Sequence, residues 1–327
     1  MEKIIAPVDK ELLKAELTEQ HFLRDTNRAG NKIYVVDAQN APNVLREIGR
    51  LREIAFRENG GGTGKEVDLD KFDLDPAFAF KQLVLWDPDS EAIIGGYRFV
   101  PCDEALYDRF GQPILPSAHL FTFTRSFLRH GFLETIELSR SFVAPEYQST
   151  RDDSRSLYAL DNLFDGLGGL MKVYEGRMKY FFGKMTIYPS YPQEALAGLL
   201  YFLRKHFGAR NEKLVIPKNP IKLEASKKDW KKVFTEDDFK EDYKILKNQA
   251  HQYGVNIPPL VNTYMNMSPT MKSFGAGIND EFGDVIEAGI LIHFDEMYPE
   301  KVKRHTNIAE EGKHHVLRFR NLFKRPQ

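Results

Sequence analysis

The chain has 327 residues, 42% hydrophobic and 28% charged, with a formal net charge of −1. That composition supplies a full-sized core, and the near-zero charge offers no footing for nucleic-acid binding. The one cysteine, Cys102, excludes an intramolecular disulfide and points to a reducing compartment, and no run of ~18 apolar residues is present to span a bilayer.

The segment Met1–Pro7 has no apolar stretch of the kind a signal peptide needs. A cytoplasmic protein is therefore expected. Lys32–Asp37 reads as a strand. Pro42 opens a helix with Val44, Leu45, Ile48, Leu51 and Ala55 on one face. Gly60–Gly64 ends it in a loop. Ala79–Trp86 and Ala92–Val100 read as strands joined through the turn Asp87–Ser90, a hairpin. Thr135–Val143 alternates as a strand. Ser154 caps a helix reaching about Met178, with Leu157, Leu160, Leu163, Phe164 and Leu167 inward. Tyr180–Ile187 is a strand and Ala195–Phe207 a helix. Charge density rises over Lys222–Lys247, the mark of an exposed helical insertion. Ile257-Pro258-Pro259-Leu260 opens a short helix, and Ala288–Phe294 is a last strand. From Gly312 to Gln327 there are five Lys/Arg, two His and no acid, which reads as a solvated basic tail. The order of elements is that of a mixed α/β (α+β) sheet.

Several tempting motifs fail. Gly60-Gly61-Gly62-Thr63-Gly64-Lys65 lacks the spacing of a phosphate-binding loop and no strand precedes it. There is no Gly-x-Ser-x-Gly elbow, and the histidines lack metal-ligand spacing. Cys102 reads as a buried small hydrophobe. Four polar clusters remain: Arg52 with Phe56, the triplet Asp68-x-Asp70-x-x-Asp73, Tyr97-Arg98, and Glu137-Leu138-Ser139-Arg140. Strand alternation places Glu137 and Ser139 on one face, Leu138 and Arg140 on the other. Charged groups among so many aliphatics are expected to pair, which makes Arg52, Asp68, Asp70 and Asp73 part of a structural ion-pair network. No metal site is assigned to the triplet.

These clusters, in the forms Arg52-x-x-x-Phe56, Asp68-x-Asp70-x-Phe72-Asp73, Gly96-Tyr97-Arg98-Phe99 and Glu137-Leu138-Ser139-Arg140-Ser141-Phe142-Val143, resemble the N-acyl amino acid synthases of the GNAT superfamily. The nearest branch makes ornithine and glycine lipids. The acyl-homoserine-lactone autoinducer synthases are a more distant branch. Tyr180–Ile187 and Ile257–Tyr264, with Asp280-x-Phe282-Gly283, extend the likeness over roughly residues 45–295. Ser139 stands where the lipid branch usually has Gly, and Gln148 lies where it often has an Arg. The Gln-x-x-Gly-x-Gly loop of coenzyme-A users is missing after Val143.

The resemblance implies a GNAT-like fold: a mixed, mainly antiparallel sheet flanked by helices. Residues 1–215 would form its core, 216–255 a charged insertion, 256–300 the part completing the fold, and 301–327 a basic tail. It implies direct aminolysis of a fatty, 3-hydroxyacyl thioester carried by acyl carrier protein, with no further cofactor. The acceptor would be a small amino acid, glycine before ornithine. Glu137, Arg140 and Arg98 are the expected catalytic residues. Oxyanion donors are expected near Phe142 and Val143, and Arg151 is placed against the pantetheine phosphate. Phe78, Phe80, Leu83, Phe121, Phe123 and Phe127 are candidates for the acyl slot. The basic tail is a candidate dock for the acidic carrier protein or for the inner face of the membrane. Two rivals are an autoinducer synthase, which would release methylthioadenosine, and a non-catalytic scaffold that only binds carrier protein or lipid.

Overall fold

In the computed structural model, which describes residues 1–78, 80–148, 154–209, 214–221, 226, 228–308 and 310–322, the helices are α1 Lys10–Glu16, α2 Pro42–Arg57, α3 Lys71–Leu74, α4 Arg125–His130, α5 Ser154–Val173, α6 Gln193–Phe207, α7 Trp230–Val233, α8 Phe239–Gln252, α9 Pro259–Met265, α10 Pro299–Thr306 and α11 Glu310–Leu322. The strands are β1 Phe22–Asp25, β2 Lys32–Val36, β3 Lys81–Asp87, β4 Ala92–Pro101, β5 Phe121–Phe123, β6 Thr135–Val143, β7 Tyr180–Ile187, β8 Val215–Pro217, β9 Lys272–Asn279 and β10 Val285–His293. Eight strands form one sheet in the order β1-β2-β3-β4-β6-β7-β10-β9, and β5 pairs with β8 beside it. Every pair is antiparallel except β6 with β7. This is the mixed, mainly antiparallel sheet the motifs implied.

Local chemistry explains the elements that build the centre. Pro42 presets the first turn of α2. The Glu16 carboxylate at the end of α1 accepts from the N–H groups of Asn43 (3.1 Å) and Val44 (2.8 Å). A distant acid thus satisfies the donors a helix leaves open and sits at its positive end. The β3–β4 hairpin turns on Asp87, which accepts from Asp89 N–H (3.0 Å) and Ser90 Oγ–H (2.6 Å). Along β3 the side chains alternate: Gln82 meets Arg52 of α2, whereas Leu83 packs on α5, where a Cβ at Gly166 would fall 2.6 Å from Leu83 Cδ2. So α2 and α5 cover opposite faces of the sheet.

Three expectations need correction. The charged stretch near 222–247 is packed as well as charged, although Lys222–Glu224, Ala225 and Lys227 lie outside the described residues. Helices α7 and α8 lie on α6: Trp230 covers Gly198, and buried Asp242 accepts from Lys205 Nζ (2.7 Å) and His206 Nε2 (2.8 Å). Up to Leu322 the basic tail from Gly312 belongs to the helix α11, which packs on β1 and α5 with Val316 and Phe319 buried, and residues 323–327 lie outside the described residues. Arg318 donates to Phe22 O, and Arg320 pairs with Glu175. Those two arginines are engaged within the fold, which a count of basic residues cannot reveal. The aromatic stripe is largely core, although Phe121 also lines a cavity. Phe80, Phe121, Phe123 and Phe127 close with Phe132, Phe182 and Phe274 into a second hydrophobic core, and Leu83 belongs to the main one. Packed rings at centroid distances of 5.4–6.3 Å gain more from one another than from an open channel.

Candidate active site

Arginines 52, 98 and 140 meet the three aspartates where α2, α3, β4 and β6 converge. Arg52 Nη1 donates to Asp73 Oδ1 (2.9 Å), and Gln82 bridges the same pair. Arg98 Nη1 donates to Asp70 Oδ1 (2.7 Å) and Asp73 Oδ2 (2.8 Å), while its Nε reaches Ser139 Oγ (3.1 Å). Arg140 Nε lies 2.8 Å from Asp68 Oδ2. Asp70 and Asp73 also form a capping box that starts α3. Burial pushes the Asp73 carboxyl up, but Arg98 and Arg52 outweigh it and hold it well below the usual carboxylate range. The network clamps the middle of β6 to α2.

Strand β6 is irregular at that clamp. Gly96 pairs with Phe142 and Arg98 with Ser139, so Arg140 and Ser141 together oppose Tyr97. This is a β-bulge, and Arg140 sits in the left-handed region at φ 51°. A non-glycine residue there costs on the order of 1–3 kcal/mol, which the Asp68 ion pair helps to offset. The bulge also breaks the alternation. Arg140 lies on the same face as Ser139, beside the aspartates, and not with Leu138 as strict alternation predicts.

Beyond the clamp the sheet opens. Strands β6 and β7 pair only from Thr135 with Tyr180 to Glu137 with Phe182. Gly183 marks the parting: a Cβ there would stand 3.3 Å from Leu138 O. The two strands then diverge, and a cleft of about 260 Å³ fills the gap. Its apolar walls are Ala55, Phe56, Leu138, Phe142, Val143, Ala159, Leu160 and the Pro258-Pro259-Leu260 entry to α9. Tyr97 and Tyr264 line it with their hydroxyls 3.1 Å apart, and burial pushes both phenols up. A second, more polar cavity is lined by Asp70, His119, Lys218 and Asn279. Arg140, Lys184 and Phe282 line both.

The free edge of β6 carries a donor. Ala144 N–H donates to Ile94 O (2.8 Å), and main-chain groups alternate sides along a strand. Val143 therefore turns its N–H and C=O away from β4, into the gap, where its carbonyl accepts from Gln148 Nε2 (3.0 Å). An N–H in a water-poor gap can stabilise an oxyanion. Phe142 lines the cleft, but its N–H faces β4 and is not turned into the gap.

Two of the expected catalytic residues stand apart from both cavities. Arg98 is completely buried, engaged by Asp70, Asp73 and Ser139, and lines neither cavity. Glu137 is 1% exposed and sealed beneath the turn Pro116–His119, whose Ser117 N–H donates to its Oε1 (3.1 Å). Burial pushes its carboxyl up, yet it opens on neither cavity. A general base contributes about 10²–10⁴-fold. Glu137→Gln is expected to leave saturating turnover well short of such a loss; a loss of that size in a steady-state assay would return Glu137 to the mechanism. Arg151 lies outside the described residues.

Sequence reasoning missed Lys184 and Glu287, which pair at 2.7 Å on the cleft wall. The signal was there: each is a charge placed inside an otherwise apolar strand, YFFGKMTI and VIEAGILIH.

The chain has relatives among known proteins. A family model described as an acetyltransferase (GNAT) domain matches residues 51–156. A glycine N(alpha)-acyltransferase of Phocaeicola vulgatus is 54% identical over 305 residues, covering 93% of each chain. Another, from Bacteroides thetaiotaomicron, is 54% identical over 319 residues, covering 98% of this chain and 94% of its own. The crystal structure of the AHL synthase LasI aligns over 49% of this chain and 74% of its own, at 15% identity and a TM-score of 0.29. No helix among the described residues is long and apolar enough to cross a membrane. The chain belongs to the glycine N(alpha)-acyltransferase family and is an N-acyltransferase with a GNAT domain.

Proposed function

We propose that the protein transfers a fatty acyl group, a 3-hydroxyacyl group by family resemblance, from an acyl-carrier-protein thioester to the amine of glycine, the first step toward an amino-acid lipid. The observation that carries this reading is the parting of β6 from β7 after Glu137 and Phe182, which opens an apolar cleft with the Val143 N–H on its edge. A pantetheine arm is a narrow, extended chain, and an unpaired strand edge suits it. Glycine as acceptor follows the relatives' activity. The carrier-protein donor is supported by the sequence after Val143, which lacks the Gln-x-x-Gly-x-Gly pattern of coenzyme-A users.

In this reading the glycine ammonium first gives a proton to water in the polar cavity. The neutral amine attacks the thioester carbonyl, and the Val143 N–H holds the oxyanion. The C–N bond forms, the C–S bond breaks, and the sulfur leaves as a thiol with the amine's second proton. Arg140 keeps the bulge in place through Asp68 and closes the wall over Phe282, whose ring centroid is 4.4 Å from its guanidinium carbon.

The test is to incubate the purified protein with glycine and a long-chain 3-hydroxyacyl carrier protein or the matching acyl-coenzyme A, and to assay products by mass spectrometry. N-acylglycine made faster from the carrier protein is the expected result. Equal or better use of coenzyme A refutes the donor assignment. Methylthioadenosine release with S-adenosylmethionine points to autoinducer chemistry, and no product from any donor points to a scaffold.

A further inference from the structure

A buried ion pair is costly to desolvate and adds little to stability by itself, so one on a cavity wall calls for a reason. The Lys184 and Glu287 side chains are 8% and 5% exposed. Lys184 lines both cavities and Glu287 lines the cleft. Asn279, on the edge strand β9, reaches across to donate its Nδ2–H to Glu287 Oε2 (2.9 Å). A carboxylate only accepts, so the amide must present its nitrogen to Glu287 and turn its oxygen away. That oxygen, Asn279 Oδ1, is buried without a partner on a residue that lines the polar cavity. An unsatisfied acceptor on the polar cavity, a cation lining both cavities and a carboxylate on the cleft therefore stand together.

We infer that Lys184, Glu287 and Asn279 form the acceptor subsite and recognise glycine as a zwitterion: Lys184 takes its carboxylate, and Glu287 with Asn279 Oδ1 takes its ammonium. The inference rests on the glycine N-acyltransferase reading and adds which residues select the acceptor. Entry of a zwitterion exchanges one buried ion pair for two, so no charge is left bare. Glu287 is suited to hold a cation: burial pushes its carboxyl up, but Lys184 and Asn279 outweigh that and keep it below its ordinary value, hence ionised. Arg140 and Asn279 flank the pair, and Thr186 Oγ1 donates to Glu287 Oε1 (3.2 Å), so each carboxylate oxygen already has a protein donor.

The experiment compares glycine with glycinamide, which has the amine but no carboxylate, at saturating acyl donor. The wild type is expected to prefer glycine. Lys184→Gln is expected to lower kcat/KM for glycine by about 30-fold or more and glycinamide far less, so that the preference collapses; Lys184→Arg is expected to restore it. A purely structural role would lower both acceptors together, and that result overturns the inference. Should Lys184→Gln melt below the assay temperature, Asn279→Ala tests the ammonium end: KM for glycine is expected to rise with little change in kcat, and an unchanged KM counts against the subsite. A wild type that forms no N-acylglycine refutes the parent reading and this inference together. A wild type that does, with a Lys184→Gln variant that keeps its preference, refutes this inference alone.

Discussion

Replacing Val143 by proline is expected to lower kcat by about 10²–10³-fold, the usual loss when one oxyanion donor is removed. Proline lacks the N–H, which the pairing with β4 does not use. The Val143 N–H faces the gap, so no rung of the β4–β6 ladder is lost, which is the condition under which a strand tolerates proline. Val143→Ile keeps the donor and the apolar wall and is expected to stay close to the parent rate. Steady-state kinetics at saturating glycine, with thermal melts of each variant, make the comparison. A Val143→Pro enzyme that folds and turns over at the parent rate would remove the main-chain donor from the mechanism.

Asp73→Ala is expected to destabilise the fold by about 3–5 kcal/mol, the cost of leaving buried charges without their partner. Asp73 accepts from Arg52 Nη1, Arg98 Nη1, Gln82 Nε2 and the Asp70 N–H, all within 3.1 Å. Its loss leaves two completely buried guanidinium groups short of an acceptor. The effect depends on pH in one direction. The Asp73 carboxyl is held below its unfolded value, so its contribution is fully present above about pH 4 and fades as pH falls through the lower folded value. Urea unfolding of parent and variant at pH 7 and below pH 4 is expected to give a gap that narrows in acid. A gap that is small at pH 7, or that widens in acid, would contradict the buried-network account.

Much of the centre was legible because it is written in short-range pattern. The helix from Pro42, the hairpin at Asp87 and the strands Thr135–Val143 and Tyr180–Ile187 rest on alternation, capping and turn chemistry within a few residues. The three aspartates and arginines 52, 98 and 140 were legible as a group, since charges in apolar strands must find partners. What failed depends on contacts between distant segments. The bulge at Arg140 has no glycine to announce it; the backbone is held by Asp68, 72 residues away in sequence. Glu137 looked poised in its strand, but a turn from residues 116–119 covers it. Lys184 and Glu287 become a site only through the β7–β10 register, which sets Thr186 opposite Glu287. The phenylalanines of residues 121–132 look alike whether they line a channel or fill a core; only their mutual packing decides.

The most direct test of the account is a crystal structure with glycine and a stable amide analogue of an acyl-pantetheine thioester. The pantetheine is expected in the gap between β6 and β7, its carbonyl oxygen within hydrogen-bond distance of Val143 N, with glycine toward Lys184. An analogue bound elsewhere, with the gap closed or water-filled, would contradict it.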